Sequence, residues 1–106
     1  MNDEAVRKYI ALTDEENYKN VQRALDNLNG VIKQTSLIRS DFYSTEYGCD
    51  IYIKPENLQV TGSFKIRGAY NKIFNLSDEE AAKGVICSSA GNHAQGVAYA
   101  AHKFGA

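Results

Sequence analysis

Residues 84–105, "GVICSSAGNHAQGVAYAAHKFG", restrict the fold more than any other stretch of this 106-residue chain. A short apolar run, Val85 to Cys87, passes through Ser88, Ser89, Ala90 and Gly91 into an alanine-rich segment closed by Gly105. An apolar run of that length, bounded by turn residues, is the mark of a strand buried in a parallel sheet, and the segment after it reads as a helix. A second strand is predicted over residues 51–54, stopped by Pro55, the only proline. Between them, "SFKIRGAYNKIFNL" sets Ile66, Ala69, Tyr70, Ile73 and Phe74 on one helical face. Strand, helix, strand, helix is the pattern of an α/β domain with a parallel sheet.

Three further helices are legible. "LTDEENYKNVQRALDNLNG" opens on a capping box, Thr13 with Glu16, repeats Tyr18, Val21, Leu25 and Leu28 at helical spacing, and stops at Gly30. A short helix is predicted from Ser40 to Gly48, and Ser77 with Glu80 repeats the capping box ahead of another. Two strands are too few for a sheet covered on both faces, and Gly105 and Ala106 stand where the next strand would follow. The expectation is therefore the start of a longer protein.

Composition narrows the class. With 43% apolar and 24% charged residues the chain suits a soluble globular domain rather than a disordered or membrane-spanning one. A net charge of −1 gives no electrostatic case for nucleic acid or an anionic membrane as partner. The first twelve residues hold no long apolar run, so neither a signal peptide nor a spanning helix is expected there. Cys49 and Cys87 lack metal-ligand spacing. A cytoplasmic chain would keep both as free thiols, and a secreted protein with one disulfide is the alternative.

Two stretches carry chemistry. In Thr61-Gly62-Ser63-Phe64-Lys65, Gly62 permits a tight turn, Ser63 can cap the next helix, and Lys65 falls at its start. The positive end of a helix dipole disfavours a cation and favours a neutral, nucleophilic amine, which can condense with a carbonyl and act as a base. A solvated lysine with its stem along the surface satisfies the same spacing. In "SSAGNHAQG", residues 88–96, a turn after a strand opens a helix, so its backbone N–H groups can converge on an anion. An ordinary strand-to-helix turn with Asn92 as cap and His93 in solvent satisfies that spacing too. Neither stretch is a dinucleotide fingerprint or a P-loop.

Taken together and in order, "KPENLQVTGSFKIRGA" and "SSAGNHAQGVAYAA" closely resemble the fold-type II pyridoxal phosphate enzymes, within them the threonine dehydratase (threonine ammonia-lyase) and serine racemase group. The preceding "QTSLIRSDFYSTEYGCDIYIKPEN" is similar as well, except that the family's Thr-Pro-Leu is here Thr35-Ser36-Leu37, which removes a rigid turn. The resemblance implies a three-layer α/β/α architecture with parallel strands, of which this chain holds an incomplete N-terminal part. Residues 1–78 would belong to the large cofactor-binding domain and residues 79–106 would begin the small one.

The resemblance also implies roles. Lys65 matches the lysine that binds pyridoxal 5'-phosphate covalently and then shuttles the substrate α-proton, and Phe64 matches the residue beside the cofactor ring. Asn92 matches the residue bonded to the ring hydroxyl. Ser89, Ala90, Gly91, Asn92 and His93 match the loop that clamps the substrate carboxylate through backbone amides. Racemases of the group carry serine where this chain has Ala90, so the second acid/base of racemisation is missing and dehydration is favoured. The implied enzyme is a cytoplasmic homo-oligomer that takes a small amino acid, without nucleic acid, membrane or metal. The family's glycine-rich phosphate loop and the polar residue facing the pyridine nitrogen do not occur in these residues. Serine racemase or serine dehydratase, and a non-catalytic phosphate-binding α/β module, are the alternatives.

Overall fold

The computed structural model describes residues 12–106, so the reading of the N-terminal twelve as free of a leader or span falls almost wholly outside the described residues. Helix α1 spans Asp14–Leu28 and starts as the capping box dictates: the Glu16 N–H donates to Thr13 Oγ1 at 3.2 Å, and the Thr13 N–H donates to the Glu16 carboxylate at 2.8 Å. Strand β1 is Ile38–Arg39, and α2, Asp41–Tyr47, runs from the Ser40 cap to a left-handed Gly48. Strand β2 is Tyr52–Ile53, and a single 3-10 turn covers Glu56–Leu58. Helix α3 spans Lys65–Phe74, α4 spans Asp78–Ala82 behind a Ser77–Glu80 capping box, and α5 spans Asn92–Phe104, ending at Gly105. Among the described residues no helix is long and apolar enough to cross a membrane.

The strands depart from expectation. The strand predicted over residues 51–54 contracts to Tyr52–Ile53, and its partner is β1, antiparallel, with Ile38 opposite Ile53 and Arg39 opposite Tyr52. The predicted strand at Val85–Cys87 joins no ladder, and Ile86 is 99% exposed. The described residues are thus helix-rich with one two-stranded sheet, and the parallel three-layer arrangement is not formed among them. The reason is physical: an apolar run supplies a strand's preference but not its hydrogen-bond partners, and parallel neighbours must come from elsewhere in a chain.

The helices hold the core. Most of the predicted face of α3 is buried, with Ile66 fully inaccessible and Ala69, Tyr70 and Ile73 at 7% exposure or less, but Phe74, expected on that face, is 46% exposed. Leu28 of α1 and Ala100 of α5 close this cluster, and the Phe104 ring packs against that of Tyr70 at 4.8 Å, tilted by 45°. Ile66 alone contributes roughly 1.5–3 kcal/mol by burial, and it sits directly after Lys65.

Much apolar surface is left open. Tyr18, Val21 and Leu25, the predicted stripe of α1, are each more than 60% exposed, and only Leu28 of that stripe is buried. The radius of gyration is 16.8 Å, against about 13 Å for a compact domain of this length. Exposed apolar stripes and an unpaired strand segment invite pairing with other chains. The 106-residue chain alone is accordingly expected to self-associate or to be only partly ordered. Sedimentation at several concentrations checks this, and a well-folded monomer at every concentration would refute it.

Candidate active site

Lys65 is the first residue of α3, as the sequence suggested, but the cap differs in detail. Phe64 holds the N-cap position without a side-chain cap, while the buried Ser63 accepts the Lys65 N–H on its Oγ at 3.4 Å. The turn before it closes through Gly62 N–H to the Gln59 carbonyl at 2.9 Å, with Gly62 at φ 73°, a left-handed conformation that suits glycine. The Lys65 ammonium lies 4.9 Å from the centre of the exposed Phe64 ring, a contact of about 0.5–1 kcal/mol in solvent. No carboxylate pairs with Lys65 among the described residues.

Helix α5 brings the second stretch to this point. Gly96 is buried against the first turn of α3, and a Cβ placed on it would stand 3.2 Å from Lys65 C, Lys65 O and Ile66 N. Asn92 lies one helical turn before Gly96, on the same face of α5. The two N-terminal turns therefore lie close together. His93 is turned toward another feature, a mainly apolar cleft of about 270 Å3 that it lines with Ala69, Lys72, Cys87 and Val97. Gly91 holds the N-cap position of α5, and Ser89, rather than Asn92, supplies the capping acceptor: its Oγ accepts the N–H groups of Gly91 and Ala94, each at 3.3 Å. Ala90 and Gly91 are exposed in that turn.

Charge distinguishes these helix ends from the others. Helices α1 and α4 place three acidic residues each in their first turns, which neutralises the positive end of the dipole. Helices α3 and α5 have none, and α3 adds Lys65. Two uncompensated positive ends beside an unpaired amine suit a ligand that is anionic and carries a carbonyl.

One network was not legible in the sequence. The Arg67 guanidinium, two residues beyond Lys65, grips Glu56 with Nε and Nη2 donating at 2.8 and 2.7 Å, and the Thr35 hydroxyl donates to the same carboxylate. Arg67, with the Thr35 hydroxyl assisting against partial burial, holds the Glu56 carboxyl down at about 2 from an ordinary 4.5. The buried Gln59 side chain ties both the N–H and the carbonyl of Lys33, and Lys54 Nζ donates to the Thr35 carbonyl. Thr35 thus ties the loop that contains Ser36 to Glu56 and Lys54. Partners separated by 11 and 21 residues in sequence leave no periodic trace. The turn into Lys65 also holds a buried hydroxyl, Thr61 Oγ1, without a partner among the described residues.

Residues 28–106 match the model of the pyridoxal-phosphate dependent enzymes, and the chain belongs to that family. It is 58% identical over 90 residues to the L-threonine ammonia-lyase of Thermotoga maritima, an alignment covering 85% of this chain and 22% of that protein. Among solved structures it is similar to the processed form of threonine deaminase isoform 2 from Solanum lycopersicum, with TM-score 0.76 and 41% identity over 89% of this chain and 26% of that one. Maize serine racemase gives the same TM-score at 38% identity, covering 82% of this chain and 27% of that one. The chain spans about a fifth of the length of the curated relatives it matches. Pyridoxal phosphate carries an aldehyde, with which an amine such as that of Lys65, unpaired with any carboxylate among the described residues, is chemically able to condense.

Proposed function

We propose that this sequence is the N-terminal part of a threonine ammonia-lyase that converts L-threonine, and L-serine more slowly, to the 2-oxo acid and ammonia. The observation that carries the reading is the packing of Gly96 of α5 against the Lys65–Ile66 backbone, between two helices whose first turns hold no acidic residue, in a chain 58% identical to an enzyme of that name. Lys65 would hold pyridoxal phosphate, with Phe64 beside it and Asn92 bonded to its ring hydroxyl. The cofactor supplies an electron sink for the charge left when the substrate loses its α-proton.

The remaining work falls to this chain's own groups. The Lys65 amine takes the α-proton, which requires it to be neutral at that moment. The backbone amides of Ser89, Ala90, Gly91, Asn92 and His93 bind the substrate carboxylate. Supporting this, the N–H groups of Asn92 and His93 have no protein acceptor among the described residues, although Ser89 Oγ already takes two neighbours. Ala90 offers no exchangeable proton, so no second acid stands on the far side of the substrate to return a proton with inverted configuration.

We assign residues 1–78 to a large domain and residues 79–106 to the start of a small one, which puts the Lys65–Gly96 contact at their junction. The parallel three-layer fold would then be completed by strands from the rest of the enzyme, with Val85–Cys87 as one member. Two free thiols, Cys49 and Cys87, support a reducing, cytoplasmic setting. The exposed aromatic side chains Phe42, Tyr47 and Tyr52 support association into a homo-oligomer.

The full-length enzyme is expected to yield 2-oxobutanoate from L-threonine and very little D-serine from L-serine. Ala90→Ser should raise racemisation measurably while elimination persists. Chiral chromatography of the products checks both, and efficient D-serine formation by the unmodified enzyme would favour the racemase reading.

A further inference from the structure

We infer that Gly96 is a positioning residue for Lys65: its missing side chain lets α5 seat against the Lys65–Ile66 peptide and fixes where the lysine stem leaves the helix. The inference rests on the reading of Lys65 as the residue that captures pyridoxal phosphate. Glycine inside a 13-residue helix is disfavoured by its own backbone freedom, so its presence there needs a reason in packing. The reason is on the α3 side. The three atoms nearest a Cβ at Gly96 are Lys65 C, Lys65 O and Ile66 N, all at 3.2 Å and all backbone. Backbone cannot swing aside as the end of a side chain can.

The peptide is also held from beyond. Ile66 is fully buried, and Arg67 is tethered to Glu56 by two charged hydrogen bonds. A methyl at residue 96 would therefore displace the peptide by a few tenths of an ångström against neighbours that resist. That displacement re-aims the Lys65 Cα–Cβ bond, and the four-carbon stem carries the change to the amine. Other glycines differ: at Gly68, also helical, no atom lies within 4 Å of an added Cβ.

The test uses the full-length enzyme stripped of cofactor, as wild type, Gly96→Ala and Gly96→Ser. Added pyridoxal phosphate is followed by the visible absorbance of the lysine-bound cofactor, by borohydride fixation with peptide mass mapping, and beside a thermal melt. Gly96→Ala is expected to melt close to wild type, since the intrinsic helix preference for alanine offsets the tighter contact. Its covalent capture at Lys65 should slow about tenfold, as misplacement of a reacting group slows reaction, and Gly96→Ser should slow it further. An unchanged capture rate in Gly96→Ala, with Lys65 labelled in wild type, overturns the inference and leaves the functional reading intact. A variant that unfolds, or whose melting point falls in step with capture, makes Gly96 a packing residue and overturns it as well. Absence of label on Lys65 in wild type overturns the functional reading itself.

Discussion

Lys65→Ala in the full-length enzyme is expected to abolish threonine elimination, with kcat falling by at least about a thousandfold, the scale lost with a positioned acid/base. Lys65→Arg should fail nearly as completely. The two substitutions separate charge from chemistry. Arginine keeps the cation beside the Phe64 ring, where the Lys65 ammonium now lies 4.9 Å from the ring centre. Its guanidinium stays protonated in proteins, so it can neither attack a carbonyl nor accept the α-proton. Substantial activity in Lys65→Arg would mean that position 65 acts through charge alone. Folding should survive both changes, because the Lys65 side chain is exposed and the burial at this helix start belongs to Ile66. A discontinuous assay of 2-oxobutanoate, with circular dichroism on the same samples, provides the measurement.

Loss of the Glu56 carboxylate is expected to have the largest effect on stability. A carboxyl held near 2 rather than 4.5 corresponds to about 3 kcal/mol favouring the folded state at neutral pH. The side chains of Glu56 and Arg67 are only 15% and 28% exposed, so solvent screens the pair weakly. Because the folded-state pKa lies below the unfolded one, the contribution is fully present above about pH 4.5 and disappears as pH falls toward 2. Glu56→Gln in the full-length enzyme should therefore be destabilised by about 3 kcal/mol at pH 7, and the gap from wild type should shrink between pH 4.5 and 2. Denaturant melts across that window check it. A gap that stayed constant with pH would show that the carboxylate's charge is not what Arg67 responds to. Since Arg67 follows Lys65 by two residues, a lowered cofactor affinity should accompany the loss.

The helices were legible because their signals are local. Thr13 with Glu16 and Ser77 with Glu80 each close a capping box within four residues, and both formed as read. Four of the five residues expected on the buried face of α3 are buried, and Phe74 at its C-terminal end is not. Strand pairing was not legible, because hydrogen-bond partners are set by the rest of the fold. Ile38–Arg39 gave no strand signal of its own, yet it pairs with Tyr52–Ile53. Val85–Cys87 carried a clear apolar run and pairs with nothing among the described residues.

The candidate site divides the same way. Lys65 at a helix start and the turn at residues 88–91 could be read directly. The choice of Ser89 over Asn92 as cap could not, since both residue types serve that purpose equally well. The Glu56–Arg67 clamp joins two loops and a helix, and no local pattern encodes it. Gly96 did leave a trace, an isolated glycine within a helical run, which usually marks close packing.

Borohydride reduction of the purified full-length enzyme with bound pyridoxal phosphate, followed by peptide mass mapping, tests the central claim most directly. One reduced pyridoxyl group is expected, on Lys65, in the tryptic peptide of residues 40–67, because the Lys54–Pro55 bond resists trypsin and a modified Lys65 is not cut. A label on Lys54, Lys72 or another lysine, with Lys65 unmodified, would contradict it.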